Sequence, residues 1–319
     1  MIARPWHAGE RALQQRAGSA ARLAEIGPQV VRDLMPLQHR DFFESLPFVL
    51  AGALDARGRP WAAMLVGKPG FVSSPDAGTL VVGALPIAGD PIAEGLLPGA
   101  PIGLLGIEAP TRRRNRANGH IVAVDARGIR VEVAQSFGNC PKYIHARAPY
   151  FVRDVPTAAP PTEALTWLDA EARALVGGAD TLYVASHAPG PAGSPAHGAD
   201  VSHRGGRPGF VKVEDERTLL VPDFAGNRFF MTLGNLLADA RAGVLFVDHE
   251  RGDLLSLTGR AEIVESGLEG FAGAERGWRF HLDEGRRWRD ALPLRWREGE
   301  ASPSALATGS WEKTQTATS

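Results

Sequence analysis

Apolar residues in this chain come in short runs rather than long helical stripes. Stretches 48–54 and 182–187 are apolar enough to be buried strands, and 102–107 and 242–248 are similar. Runs of this length, punctuated by glycine and proline, predict strands buried on both faces. Stretches 121–125 and 129–135 predict a hairpin across Ala126-Arg127-Gly128. Several short strands at this spacing suggest a barrel or a sandwich. Helical patterning is confined to the connections. Residues 10–35 predict a long Ala- and Arg-rich helix with a break at Gly27-Pro28. Thr162 is a candidate cap for a helix whose apolar face is Leu165, Leu168, Ala172, Leu175 and Val176, ending at Gly177-Gly178.

The pattern repeats. Gly67-Lys68-Pro69-Gly70-Phe71-Val72 matches Gly206-Arg207-Pro208-Gly209-Phe210-Val211 at an offset of 139, and Thr79-Leu80-Val81-Val82 matches Thr218-Leu219-Leu220-Val221 at the same offset. Ala88-Gly89-Asp90 meets Ala225-Gly226-Asn227 at 137, while Gly103 to Ile107 meets Gly243 to Val247, and Gly119 meets Gly259, at 140. One Gly-x-Pro-Gly match means little, since such turns recur in any β protein. An ordered series at nearly one spacing points to an internal doubling. The expected organisation is a first barrel with its N-terminal helix over 1–156 and a second barrel with a linking helix over 157–297. Residues 156–161 form the linker, and 298–319 a loose tail in which Trp311 is the candidate to dock.

Composition narrows the function. The 319 residues carry a formal net charge of -1, so nothing suggests bulk attraction to nucleic acid or to a membrane surface. A lone cysteine, Cys140, leaves no internal disulfide and no thiolate zinc site. With no apolar leader and no long apolar span, a cytoplasmic location is expected.

Comparing the halves locates the chemistry. At the 139 offset Ala62-Ala63-Met64-Leu65 corresponds to Val201-Ser202-His203-Arg204. A strand that carries His and Arg where its counterpart carries Met and Leu gives up burial, and a polar or anionic ligand justifies that. Beyond the next strand, Asp223, Asn227 and Arg228 precede an amphipathic helix bearing Phe229, Phe230, Leu233, Leu236 and Leu237. Asn227 is a candidate N-cap, and a helix N-terminus stabilises phosphate. The first half has Asp90-Pro91 there, predicting a short helix and repelling an anion. Alone, His203 reads as a structural histidine and Arg204 or Arg228 as surface charge. Together they predict that the second half binds and the first supports.

The segments Ala199 to Gly206, Pro208-Gly209-Phe210-Val211, Pro222 to Asn227 and Leu233-Gly234-Asn235-Leu236 resemble the pyridoxamine 5'-phosphate oxidase-related FMN-binding proteins. Trp6-His7-Ala8-Gly9-Glu10 and Gln135 to Ile144 are similar too, so the resemblance spans roughly 6–265. It implies a mainly β protein with α elements (α+β): two tandem split β-barrels with flanking and linking helices, and FMN in a groove between the barrels. It implies that Ser202, His203 and Arg204 face the flavin and that Asp223, Asn227 and Arg228 lie on the phosphate side, with Asn235 on the helix. The segment Gln135 to Lys142, with Gln135 and Ser136 as candidate contacts, is a candidate second wall, with Lys142 as a further cation. In such proteins the barrels usually come from two subunits, so either one chain supplies both or the protein is a homodimer. The activity implied is an FMN-dependent oxidoreductase, its partners a small-molecule substrate or a separate electron donor. The alternatives are a flavin storage or sensing module and a haem-binding or haem-degrading protein, with His203, His145, His187 and His197 as candidate axial ligands.

Overall fold

Nearly every apolar run becomes a strand, and most strands fall into two large antiparallel sheets. The computed structural model describes residues 5–156, 160–191, 193–265 and 267–311. Helices α1 (Ala8–Arg16), α2 (Ala20–Val30) and α3 (Leu37–Glu44) precede the first sheet. That sheet comprises β1 (Phe48–Leu54), β2 (Pro60–Val66), β3 (Val72–Ser73), β4 (Thr79–Val82), β5 (Pro101–Glu108), β6 (Arg113–Asp125) and β7 (Gly128–Asn139). After β8 (Arg147–Phe151), β9 (Thr162–Leu165) and α4 (Ala170–Gly178) come β10 (Thr181–Ala188), β11 (Gly198–Gly205), β12 (Lys212–Val213) and β13 (Thr218–Phe224). Helix α5 (Met231–Ala238) leads to β14 (Arg241–Val247), β15 (Leu254–Val264), β16 (Ala274–Trp288), β17 (Leu294–Glu298) and α6 (Pro303–Leu306).

The two sheets follow one path. Their orders are β2-β1-β5-β6-β7-β4-β3 and β11-β10-β14-β15-β16-β13-β12, which coincide when β1 to β7 are replaced by β10 to β16. Register agrees as well: Leu50 lies between Met64 and Leu105, and Tyr183 between His203 and Leu245. Even the bulge recurs, between Asn118 and Gly119 and between Thr258 and Gly259. The closing strands β8 and β17 pair with each other, Arg147 opposite Glu298, Ala148 opposite Arg297 and Pro149 opposite Trp296. Ile129 on β7 matches Trp278 on β16, because they face Val82 and Val221 respectively. Continued to the ribbon, that correspondence sets Ala148 against its own counterpart Arg297. A pseudo-twofold axis therefore passes between them.

Burial explains why the strands lack alternation. Val49, Ala51 and Ala53 of β1 point into the first core with Trp61 and Leu104, while Leu182 and Val184 of β10 point into the second with Phe246 and Trp278. The opposite faces meet in a third core, where Phe48, Leu50 and Leu105 pack on Tyr183, Leu245 and Trp288. Close approach there requires glycine: a Cβ on Gly103 would lie 2.7 Å from Asp200 Cα, and one on Gly243 would lie 2.6 Å from Trp61 Cα. Among the described residues no helix is long and apolar enough to cross a membrane.

Three local expectations differ. The N-terminal segment breaks at Gly18, which takes φ 65, while Pro28 sits inside α2. Left-handed Gly18 ends α1 with Gly18 N and Ser19 N bonded back to Gln15 O and Gln14 O. Thr162 caps no helix: it pairs in β9 with Trp288, and Asp169 caps α4 instead, accepting from Ala172 N at 2.8 Å. Residues 298–311 are packed rather than loose, with Trp311 Nε1 donating to Phe210 O at 3.0 Å. Part of the expected linker, 157–159, and the end of the expected tail, 312–319, lie outside the described residues.

Candidate functional site

The bulged hairpin of the first sheet and the polar strand of the second meet at a cleft. Arg114 and Arg116, two apart on β6, form one wall with Asn139, Cys140 and Tyr143. Ser202, His203 and Arg204 of β11 form the other, closed by Pro222, Asp223 and Phe224 of β13 and by the turn into α5. The cavity volume is about 100 Å³, open at its mouth.

Arg116 is the anchor. Its side chain is 4% exposed. One Nη1 nitrogen donates to both Asp200 oxygens at 2.8 Å, and Nη2 donates to Ser202 Oγ at 2.7 Å. Ser202 Oγ also accepts from Thr232 Oγ1 at 2.8 Å, tying the strand to the first turn of α5. Arg114 Nε donates to Cys140 O at 2.8 Å, and its Nη1 lies 3.4 Å from His203 Nδ1. Burial lowers the Arg114 guanidinium to about 10. Burial beside that cation also holds His203 well below the ordinary histidine range. His203 is therefore neutral at physiological pH. Because a guanidinium only donates, His203 Nδ1 is the acceptor and Nε2 carries the proton.

The second wall is partly self-neutralised. Arg204 Nη1 is paired with Asp223, and Arg228 Nη2 with Glu275 at 2.8 Å. Three donors nonetheless stay unsatisfied: Arg116 Nε, Arg204 Nε and Asn139 Nδ2 are buried without a partner. Leaving a buried donor unmade costs about 1–3 kcal/mol, more for a charged group. Of the four arginines on the lining, Arg116, Arg204 and Arg228 pair with Asp200, Asp223 and Glu275, and Arg114, which has no carboxylate partner among the described residues, is the cation that favours an anion there. The N-terminal turn of α5 faces the same space through Met231 and Thr232, adding the positive end of its dipole. Tyr143 and Phe224 supply apolar planes, with ring centroids 5.3 Å apart.

The lip of the cleft is strained. Arg228 and Phe230 take φ 62 and 60, left-handed values that cost side-chain-bearing residues about 1–3 kcal/mol each. Asn227 is consequently not the helix cap. Its Oδ1 accepts from Phe229 N at 3.1 Å in a local turn, and Phe230 occupies the cap position without a side-chain bond.

Of the predicted site residues, Ser202, His203, Arg204, Asp223, Asn227 and Arg228 converge on the cleft. Asn235 lies deeper, bonded to His7 Nε2 at 2.8 Å and Ser186 Oγ at 3.0 Å. Gln135 donates to Pro5 O at 3.3 Å, Ser136 contacts His39 Nδ1 at 2.9 Å, and Lys142 is exposed, so none of these three lines the cleft. Among the four histidines, only His203 lines it. His145 contacts Gly206 O at 3.0 Å, His197 contacts Ser194 Oγ at 2.8 Å, and His187 lies 3.9 Å from Asp239. Asn139 and Cys140, inside the Gln135 to Lys142 segment expected as a second wall, do line the cleft, whereas sequence reasoning missed Arg114, Arg116, Asp200 and Tyr143. A signal existed for Arg114 and Arg116, since four arginines in 112–116 stand beside an apolar strand.

No protein-family description matches this sequence, and no curated protein does. Among solved structures, HupZ of Group A Streptococcus shares 14% identity, covering 42% of this chain and 97% of its own, with a TM-score of 0.28. A putative pyridoxamine 5'-phosphate oxidase of Lactobacillus delbrueckii shares 14%, covering 38% and 94%, with a TM-score of 0.29. HutZ, the heme storage protein of Vibrio cholerae, shares 14%, covering 38% and 94%, with a TM-score of 0.27. The strand order that this chain runs through twice makes it a mainly β protein with α elements, built as two tandem split β-barrels with flanking and linking helices.

Proposed function

We propose that the cleft binds flavin mononucleotide and that the protein is an FMN-dependent oxidoreductase. The observation that carries the binding is the set of unsatisfied donors, Arg116 Nε, Arg204 Nε and Asn139 Nδ2, on a cleft walled by both sheets. A phosphate offers several acceptor oxygens to such donors in charge-assisted bonds. The enclosed volume suits the phosphate end, which leaves the ring to the open mouth beside Tyr143 and Phe230. When bound, the flavin supplies the electron chemistry. The chain's own residues bind and orient. Arg116 is fixed by Asp200 and Ser202, Tyr143 OH is held by Ala225 O at 3.0 Å, and His203 keeps a proton on Nε2.

Purified protein titrated with FMN tests the reading. Saturable quenching of flavin fluorescence is expected, and colourless protein that takes up no added FMN would overturn it. Bleaching of the bound flavin by reduced nicotinamide under nitrogen separates an oxidoreductase from a storage or sensing module. Of the candidate axial histidines His203 is the one that lines the cleft, and a haem reading requires it to give up its Nδ1 contact with Arg114. A Soret band lost in His203→Ala would favour it over flavin.

A further inference from the structure

The pseudo-twofold axis generates a second cleft. Met64 matches His203 by the register of β2 against β1, and Val82 matches Val221 by that of β4 against β7; the same 139-residue offset, carried past the end of β4, sets Ala84 at Asp223 and Leu85 at Phe224. On the opposite wall Leu254 of β15 stands where Arg114 stands on β6, since each faces the end of the following strand, Trp288 and Asn139. Met64, Ala84, Leu85, Leu254 and Leu292 do line one cleft, again built from both sheets. Its cavity volume is about 680 Å³, within the roughly 300–1,000 Å³ typical of small-molecule sites and larger than that of the arginine cleft.

The charge has been removed from this copy. An aliphatic side chain replaces each of Arg114 and His203, and alanine replaces Asp223. The two cations on the rim are already paired, Lys68 with Asp154 at 3.0 Å and Arg127 with Asp125 at 3.1 Å. Nothing among these lining groups offers an anion or a cation an unpaired countercharge, whereas Val66, Phe71 and Ile87 extend the apolar wall. Exposed apolar surface in a concavity of this size favours burial of an apolar molecule.

We infer that this mate of the arginine cleft is a second, separate binding site, for an uncharged and largely apolar small molecule. The inference rests on the internal symmetry and holds whether or not the arginine cleft takes a flavin.

Nile red, an uncharged apolar dye, is the probe, titrated into the whole protein and followed by fluorescence. Saturable one-to-one binding is expected, with affinity lowered at least tenfold by Ala84→Arg and by Leu85→Asp, and no displacement by FMN. Leu85 is 44% exposed, so the second substitution leaves the core intact. Absence of saturable binding, binding that neither substitution changes, or displacement of the dye by FMN would each overturn the assignment.

Discussion

Arg116 on the first sheet grips Asp200 on the second, one guanidinium nitrogen lying 2.8 Å from both carboxylate oxygens. Both side chains are about 95% buried, so neither charge has water to fall back on. Asp200→Ala leaves Arg116 charged and unpaired, a change that costs about 3–5 kcal/mol in buried pairs. Replacing both together, Arg116→Met with Asp200→Leu, is expected to recover most of that stability while abolishing FMN binding. Urea unfolding of the two variants beside the parent checks the first part and flavin titration the second.

Arg204 is held by Asp223 on the cleft wall, so the carboxylate competes with any anion for the guanidinium. Arg204→Ala should lower FMN affinity tenfold or more by removing a charge-assisted contact, about 1.4 kcal/mol or above. Asp223→Asn should act in the opposite direction and tighten binding severalfold. If both substitutions weaken binding equally, Asp223 touches the ligand itself and the competition argument fails.

Asp90 begins the 3-10 turn Pro91–Gly95, accepting from Ile92 N at 3.1 Å in a buried position. Burial pushes its carboxyl up to about 7 from 3.8. With the folded value raised, the protonated form is the one the fold prefers. Its stabilising contribution is full below about pH 3.8 and is lost as pH rises through about 7. Asp90→Asn keeps the acceptor and removes the charge. Its stability advantage over the parent should therefore grow between pH 4 and pH 8, by on the order of 4 kcal/mol at most. Burial raises Glu10 in the same direction in both proteins, so the difference between them isolates Asp90. Equal stability of the two proteins across that range would refute the assignment.

Much of the architecture was legible because each half repeats its punctuation. Glycine and proline at a 139–140 offset marked matching turns, and matching turns dictate matching registers. The Met64-to-His203 contrast was readable for the same reason. What local sequence does not encode is which partner a polar strand meets. Arg116 has meaning only against Asp200, 84 residues away, and the pairing follows from closing two sheets on one another. Asn227 misled because an Asx turn and a helix cap use the same side-chain oxygen. Thr162 misled because an edge strand and a cap favour the same residue type, and pairing to β16 decided it.

Helix α1 reaches the second barrel through a glycine crossing. A Cβ on Gly9 would lie 2.2 Å from Gly234 O, a backbone atom of α5 that cannot rotate aside. Contact at this distance lets His7 Nε2 reach Asn235 Oδ1 at 2.8 Å while the buried Glu10 carboxyl group accepts from His7 N at 2.8 Å. Gly9→Ala would force the helices apart, and overpacking of this kind costs about 1–3 kcal/mol. The separation also breaks the His7 to Asn235 bond, so α1 should loosen before the sheets do. Limited proteolysis is expected to cut the variant near its N-terminus at conditions where the parent survives, with a lowered Tm by calorimetry. Unchanged protection of residues 8–16 in hydrogen exchange would show that α1 is held by something other than this crossing.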